Sequence, residues 1–375
     1  MAVTRKGTAA GLVDWRTVER LAALIPAGPS ASRSARASSV AVLRRSALEA
    51  PAWVARITGL NRAAQQVAET TRVSVVDRAG LVRASTRALR GLMEQVPAPQ
   101  ASEAVRLVGA AEMAGAMSLL ATRLLGQVVP AAGTGGDGDG GREGEASPHL
   151  LLVAPNVLAM RRQLDLDMLD LPAWVCLHEM THAVQLAAAP WLGPYLSDSM
   201  RMVIGAVVEA VYGGPGGGAD GTGEQGLRRR PGRAARIAAR AGRGRVLEGL
   251  TNFKERSEVA SLAAALTFLE GHAEVVLDDV HPNRMPSVHR LRAVLSRSRA
   301  ADAGIGPGPG LGSLLLHRLM GLEAKEAQYA DGTAFVRSVV ARIGHEGLNV
   351  VWTDPALLPT PAEIARPDVW VRRVG

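Results

Sequence analysis

The 375-residue chain contains a single cysteine, Cys176. One thiol makes no intramolecular disulfide, so no covalent staple holds the fold, as expected for a reducing compartment. Aromatic residues are scarce, at 3% of the chain, so the core has to be built from Leu, Val and Ala, which favours helix packing. Lysine occurs only at Lys6, Lys254 and Lys325, while arginine, alanine and glycine abound, a bias of the kind a GC-rich genome produces. No uninterrupted apolar run reaches the roughly 18 residues of a membrane span. Met1 to Trp15 lacks the long apolar region of a signal peptide. A cytoplasmic protein with no membrane span is therefore expected.

Acidic residues are missing from one stretch in particular. Arg228, Arg229, Arg230, Arg233, Arg236, Arg240, Arg243 and Arg245 lie together with no carboxylate among them, and these eight match the whole net charge of +8. A nucleic-acid-binding fold would spread its cations over a structured surface and add aromatics to stack on bases. Here they lie in a Gly/Pro-rich insert, so a solvated loop is expected and specific nucleic-acid binding is not. Nonspecific attraction to RNA or to an anionic membrane is the other reading of this segment.

Apolar residues make up 47% of the chain, enough for a substantial core. Residues 1–130 read as a helical N-terminal scaffold without a histidine. Helices are expected over Val40 to Val54, Asn61 to Arg72, Leu81 to Val96 and Ala101 to Val129, with a short strand or extended link at Val73 to Asp77. Residues 131–147 are a Gly/Asp-rich flexible insert. Residues 148–375 hold the chemistry and contain a Gly/Arg insert at 213–245. His149 to Val153 reads as a strand, the tail from Val350 to Val371 as an extended segment, and Leu314 to Leu322, Lys325 to Tyr329 and Thr333 to Ile343 as short helices.

The organising stretch is His178-Glu179-Met180-Thr181-His182. Residues four apart on a helix sit one above the other, so His178 and His182 can aim two imidazoles at one ion. Glu179 lies about 100° around the helix, at the edge of that face, where it can hold a water without blocking the metal. The flanking Val175, Cys176, Leu177, Ala183 and Val184 are uncharged, so the helix should be buried. Asp170 is the expected N-cap, Pro172 fits the first turn, and Pro190 and Gly193 are expected to end the helix. Cys176 is two residues before His178 and faces away, so it reads as a core thiol.

A catalytic zinc site needs a third protein ligand. The expected source is Phe268-Leu269-Glu270-Gly271-His272-Ala273-Glu274, at the end of an apolar run from Val259. Glu270 and Glu274 share a helical face, with Glu270 as ligand and Glu274 behind it, placed to accept the distal N–H of a ligand histidine. His272 is the alternative ligand. Tyr195, Tyr212, Tyr329, His281 and His289 are equal candidates to stabilise a developing oxyanion.

HEMTH followed far downstream by EGHAE resembles the zincin superfamily on its glutamate-ligand branch. More narrowly, VDW, SVVDRAGLV, LLLVAPNV, LPAWVCLHEMTHAVQ, FLEGHAEVVLDDV, GLEAKEAQY and LPTPAEIARPDVW resemble an actinobacterial family of zincin-like proteins. Those proteins are labelled zinc-dependent metalloproteases or hydrolases associated with biosynthesis of a deazaflavin coenzyme. The resemblance implies a mainly α (α+β) fold with a zincin-like metal-binding core, a short β element and a helical N-terminal part. It also implies Zn²⁺ and, as substrate, a peptide or small amide. It suggests that the short strand lies at a sheet edge beside the metal helix. The expectation is a metallopeptidase, with a zinc-stabilised structural or binding protein as the rival.

Overall fold

The computed structural model describes residues 7–129, 148–212, 253–301 and 332–375. The inserts 131–147 and 213–245, with their arginines, and the helices expected at Leu314 to Leu322 and Lys325 to Tyr329 lie outside the described residues. Among the described residues the fold is mainly helical with two small sheets.

The chain opens with a two-residue strand β1 (Gly7–Thr8) and the helices α1 (Trp15–Ala22), α2 (Arg33–Thr58) and α3 (Asn61–Thr70). α2 starts well before the expected Val40, because the Ser32 side chain accepts the Ala35 N–H and caps it. It also runs through Pro51, which is buried in the packing, and stops at Gly59 in the left-handed conformation (φ 76°). Next come β2 (Arg72–Val76), α4 (Arg78–Glu94), β3 (Pro97–Ala98) and α5 (Glu103–Arg123). Asp77 caps α4 by accepting the Gly80 N–H.

The helical pattern from Ala101 breaks earlier than expected. Leu124 is extended, and Gly126–Val129 forms β4, which pairs with β5 (His149–Val153). Pairing with a distant strand overrides the Ala/Leu helix propensity here. The sheet order is β2-β5-β4, with β2 parallel and β4 antiparallel to β5. β5, the strand suggested for a sheet edge, is therefore central, and β4 is the edge on the site's side. Leu150 and Leu152 enter one apolar core while Leu151 and Val153 enter another, so β5 separates the two by side-chain alternation.

α6 (Ala154–Gln163) leads into α7 (Asp170–Ala188), the helix of the two histidines. Asp170 is its first residue, not its cap. Asp167 Oδ1 accepts the N–H groups of Leu169 (2.7 Å) and Asp170 (2.9 Å), while Asp170 Oδ2 takes the Ser287 N–H at 2.7 Å. α7 packs against α2, α3, β4 and a later helix, Phe253–Asp278, so it is apolar on nearly every side. Burying Leu177, Met180 and Val184, each worth about 1.5–3 kcal/mol, offsets the cost of enclosing His178 and Glu179 in the same helix.

α8 (Leu192–Tyr212) follows, with Gly193 inside its first turn, and then α9 (Phe253–Asp278), α10 (Val288–Ala301) and α11 (Gly332–Leu348). The tail is not extended. Thr360 and Glu363 form a capping box that starts α12 (Pro361–Ile364), and α13 (Pro367–Val374) buries Trp370 completely. By length and composition alone, α5 and the Ser257–Asp278 part of α9 could cross a membrane. α9 is a core element of this fold, mostly buried and packed against α7, α8 and α11. α5 packs one face on α1 and α4 and leaves Leu107 and Val108 exposed.

Candidate metal centre

α7 and α9 cross so that three donor atoms converge. The Nε2 atoms of His178 and His182 are 3.3 Å apart. Glu270 reaches over from α9, with Oε2 3.5 Å from His178 Nε2 and Oε1 3.7 Å from His182 Nε2. The three side chains offer ligand atoms that all lie within 4.8 Å of one another.

This donor set fits a zinc ion. With metal–ligand bonds of about 2.0–2.1 Å, tetrahedral donors stand about 3.3 Å from each other. Two imidazole nitrogens facing each other at this distance repel through their lone pairs unless a proton or a cation lies between them. A carboxylate closing the triangle supplies the negative charge a dication requires. Two imidazole nitrogens and one carboxylate oxygen are a donor set of the kind catalytic zinc sites use, whereas structural sites take four protein ligands.

Burial and charge act on the two rings in opposite ways. Burial alone would depress His178, which is 0% exposed, but the carboxylates of Glu270, Glu179 and Glu274 outweigh it and hold its pKa above the ordinary value. At His182 burial dominates, the attraction of Glu270 only partly opposes it, and the pKa falls. Glu274 Oε1 stands 3.7 Å from His178 Nδ1, on the distal side where it was expected, within charge contact but beyond a hydrogen bond.

Glu179 points to β4. It is 3% exposed, and burial pushes its carboxyl up to about 7, opposed by the attraction of His178 and a backbone hydrogen bond from Val128. The strand approaches so closely because residue 126 is glycine. A Cβ there would stand 2.7 Å from Glu179 Cγ and 3.0 Å from its Cδ. Across the site, α9 is equally close to α11: a Cβ on Gly271 would overlap the Gly332 backbone, and one on Gly332 would overlap the Thr267 carbonyl.

His272, the alternative ligand, is fully buried and lies outside the donor triangle. Its Nδ1 meets the Gln185 amide nitrogen at 3.0 Å. Gln185 and Gly126 went unnoticed in the sequence. Gln185 had a faint signal, three residues past His182 on the same face, whereas Gly126 had none. Of the oxyanion candidates, His281 and His289 are exposed, and Tyr195 is half-buried with its ring edge against Trp191. The side chains of Tyr212 and Tyr329 lie outside the described residues. Cys176 is buried with Sγ 3.5 Å from the Leu43 carbonyl, and burial pushes its thiol pKa far up.

The sequence model of a family described as zincin-like metallopeptidase matches residues 13–371. A crystal structure from Chloroflexus aurantiacus, described as a candidate hydrolase with a novel fold, superposes with a TM-score of 0.60. It is 21% identical and covers 96% of this chain and 98% of its own, a likeness of fold. No curated protein matches the chain significantly.

Proposed function

The chain belongs to the zincin-like metallopeptidase family, and on that premise we propose that it is a zinc-dependent hydrolase of amide or peptide bonds, with Glu179 as its general base. The observation that carries this reading is the convergence of His178 Nε2, His182 Nε2 and Glu270 at 3.3–3.7 Å, beside a buried carboxylate that is not part of the triangle. When bound, zinc supplies Lewis acidity, acidifying water and polarising a carbonyl.

The protein's own residues do the rest. His178, His182 and Glu270 hold the ion, and Glu274 faces the distal nitrogen of His178. The Glu179 carboxylate takes a proton from the attacking water and delivers it to the departing nitrogen. Its enclosure between α7 and β4 raises its pKa, and the charge of a bound dication would act in the opposite direction, towards the carboxylate that a base requires. Among the described residues, β4 is bonded to β5 on one side only. Its other edge offers backbone groups with which an extended peptide can pair, which favours peptides over compact amides. A cytoplasmic location accords with the lone thiol. The narrower resemblance to deazaflavin-associated proteins directs the substrate search to that setting.

The test is Glu179→Gln in the full chain. The variant should keep about one zinc per chain by metal analysis, while hydrolysis of a peptide library falls about 10²–10⁴-fold. Activity that survives the substitution would remove Glu179 as base. Zinc that stays bound in a wild type without turnover would favour the structural role instead.

A further inference from the structure

Gln185 is 1% exposed and touches three groups at once. Its amide oxygen is 2.9 Å from His182 Nδ1. Its amide nitrogen is 2.9 Å from the Leu269 carbonyl oxygen and 3.0 Å from His272 Nδ1. A carbonyl oxygen can only accept, so the Leu269 oxygen must face the NH₂ side of the amide. The amide oxygen then faces His182, and Nδ1 there must carry a hydrogen for a bond to form. A neutral imidazole has a single N–H, so His182 Nε2 is left as a bare lone pair, directed at Glu270 and His178 Nε2.

The same reasoning fixes the second ring. One amide hydrogen goes to Leu269, and the other meets His272 Nδ1, which must accept it. The His272 hydrogen is therefore on Nε2. The ring is held in this orientation between Trp352 (centroids 5.3 Å apart) and Phe268 (6.4 Å). His345 stands edge-on at 6.3 Å, with its own Nε2 2.8 Å from Asp279.

We propose that Gln185 is a positioning residue that sets opposite tautomers on two histidines, Nδ1–H on His182 and Nε2–H on His272. His182 is thereby prepared as a donor through Nε2, and His272 supports the site without binding the ion. The anchor is a backbone carbonyl of the helix that carries Glu270, one residue before it, so the tautomer of one ligand is set by the element that supplies another. The purpose given to His182 rests on the metal-centre reading; the tautomers themselves do not.

The experiment uses the full chain labelled with ¹⁵N-histidine and stripped of metal, with two-bond ring ¹⁵N–¹H correlations recorded for the wild type, Gln185→Leu and His272→Asn. Zinc affinity is measured by competition with a chromophoric chelator. In the wild type, His182 should show the Nδ1–H pattern and His272 the Nε2–H pattern. Gln185→Leu should release His182 into a mixture of tautomers and weaken zinc about 10–100-fold. His272→Asn places an acceptor oxygen where Nδ1 stood, so His182 should keep its pattern and zinc affinity should stay within about threefold.

An Nε2–H pattern on His182 in the wild type would overturn the proposal, as would Gln185→Leu leaving both tautomers and affinity unchanged. Loss of zinc in His272→Asn would make His272 a ligand and overturn it equally. If Gln185→Leu does not fold, the wild-type spectrum and His272→Asn decide. Opposite tautomers in a wild type that binds no zinc would overturn the metal centre instead and leave the tautomer assignment standing.

Discussion

His178 and His182 lie one helical turn apart, yet the regions around them differ in kind. The region of His178 is closed. The ring is 0% exposed, its Nδ1 has no hydrogen-bond partner among the described residues, and three carboxylates surround it. The region of His182 is a rim. That side chain is 17% exposed, and its Nδ1 has a directed partner in Gln185. Packing and charge place the first ring, while a hydrogen bond places the second. Converging donors therefore do not need equivalent supports. A site of this kind can be rigid on one flank and adjustable on the other.

The strongest way to break that contrast is to remove each ring in turn. His178→Ala and His182→Ala should both bring zinc content from about one per chain to near zero, since two nitrogens are needed to hold the ion. The metal-free proteins should then separate in urea unfolding. Loss of the enclosed His178 should cost about 2–4 kcal/mol through the cavity it leaves, whereas loss of His182 at the rim should cost under about 1 kcal/mol. Equal losses would mean that the two flanks are not different.

A third flank, the strand side, sharpens the contrast because its Gly126 lies against the proposed base. Gly126→Ala should push the Glu179 carboxylate aside and lower hydrolysis about 10²-fold, the cost of a misplacement of roughly 1 Å, with zinc content unchanged. A fall in zinc content would show that β4 also supports the ligands. The smallest effect is expected at Cys176, two residues before the enclosed histidine but facing α2. Cys176→Ala should leave zinc content intact and cost about 1 kcal/mol, and the native thiol should resist alkylation. Metal loss in this variant would place sulfur among the ligands.

What the sequence revealed depended on how local each signal was. The 3.6-residue period put His178 and His182 on one face, and the same period put Glu270 and Glu274 together on a second helix; both arrangements are present. β5 was legible from five residues, but its central position was not, because strand order depends on partners that lie 20 to 77 residues away in the chain. β4 was hidden for the same reason, since Leu124 to Val129 continues a helix-forming stretch until β5 is there to pair with it. Thr360 and Glu363 spelled a capping box, but the surrounding prolines suggested an extended tail. Gln185 was visible as a residue, yet its role lies in contacts with Leu269 and His272, 84 and 87 positions on. No periodicity carries that information.

The backbone contact between α9 and α11 bears on how the site is filled. Where Gly271 meets Gly332 there is no side-chain cushion to compress or rotate, so the two helices cannot slide without separating outright. Glu270, one residue from that contact, is carried on a wall that is already in place before any ion arrives. Adjustment during loading is therefore left to the His182 rim and to the strand opposite, and a metal whose preferred geometry differs from that of zinc would have to be accommodated there.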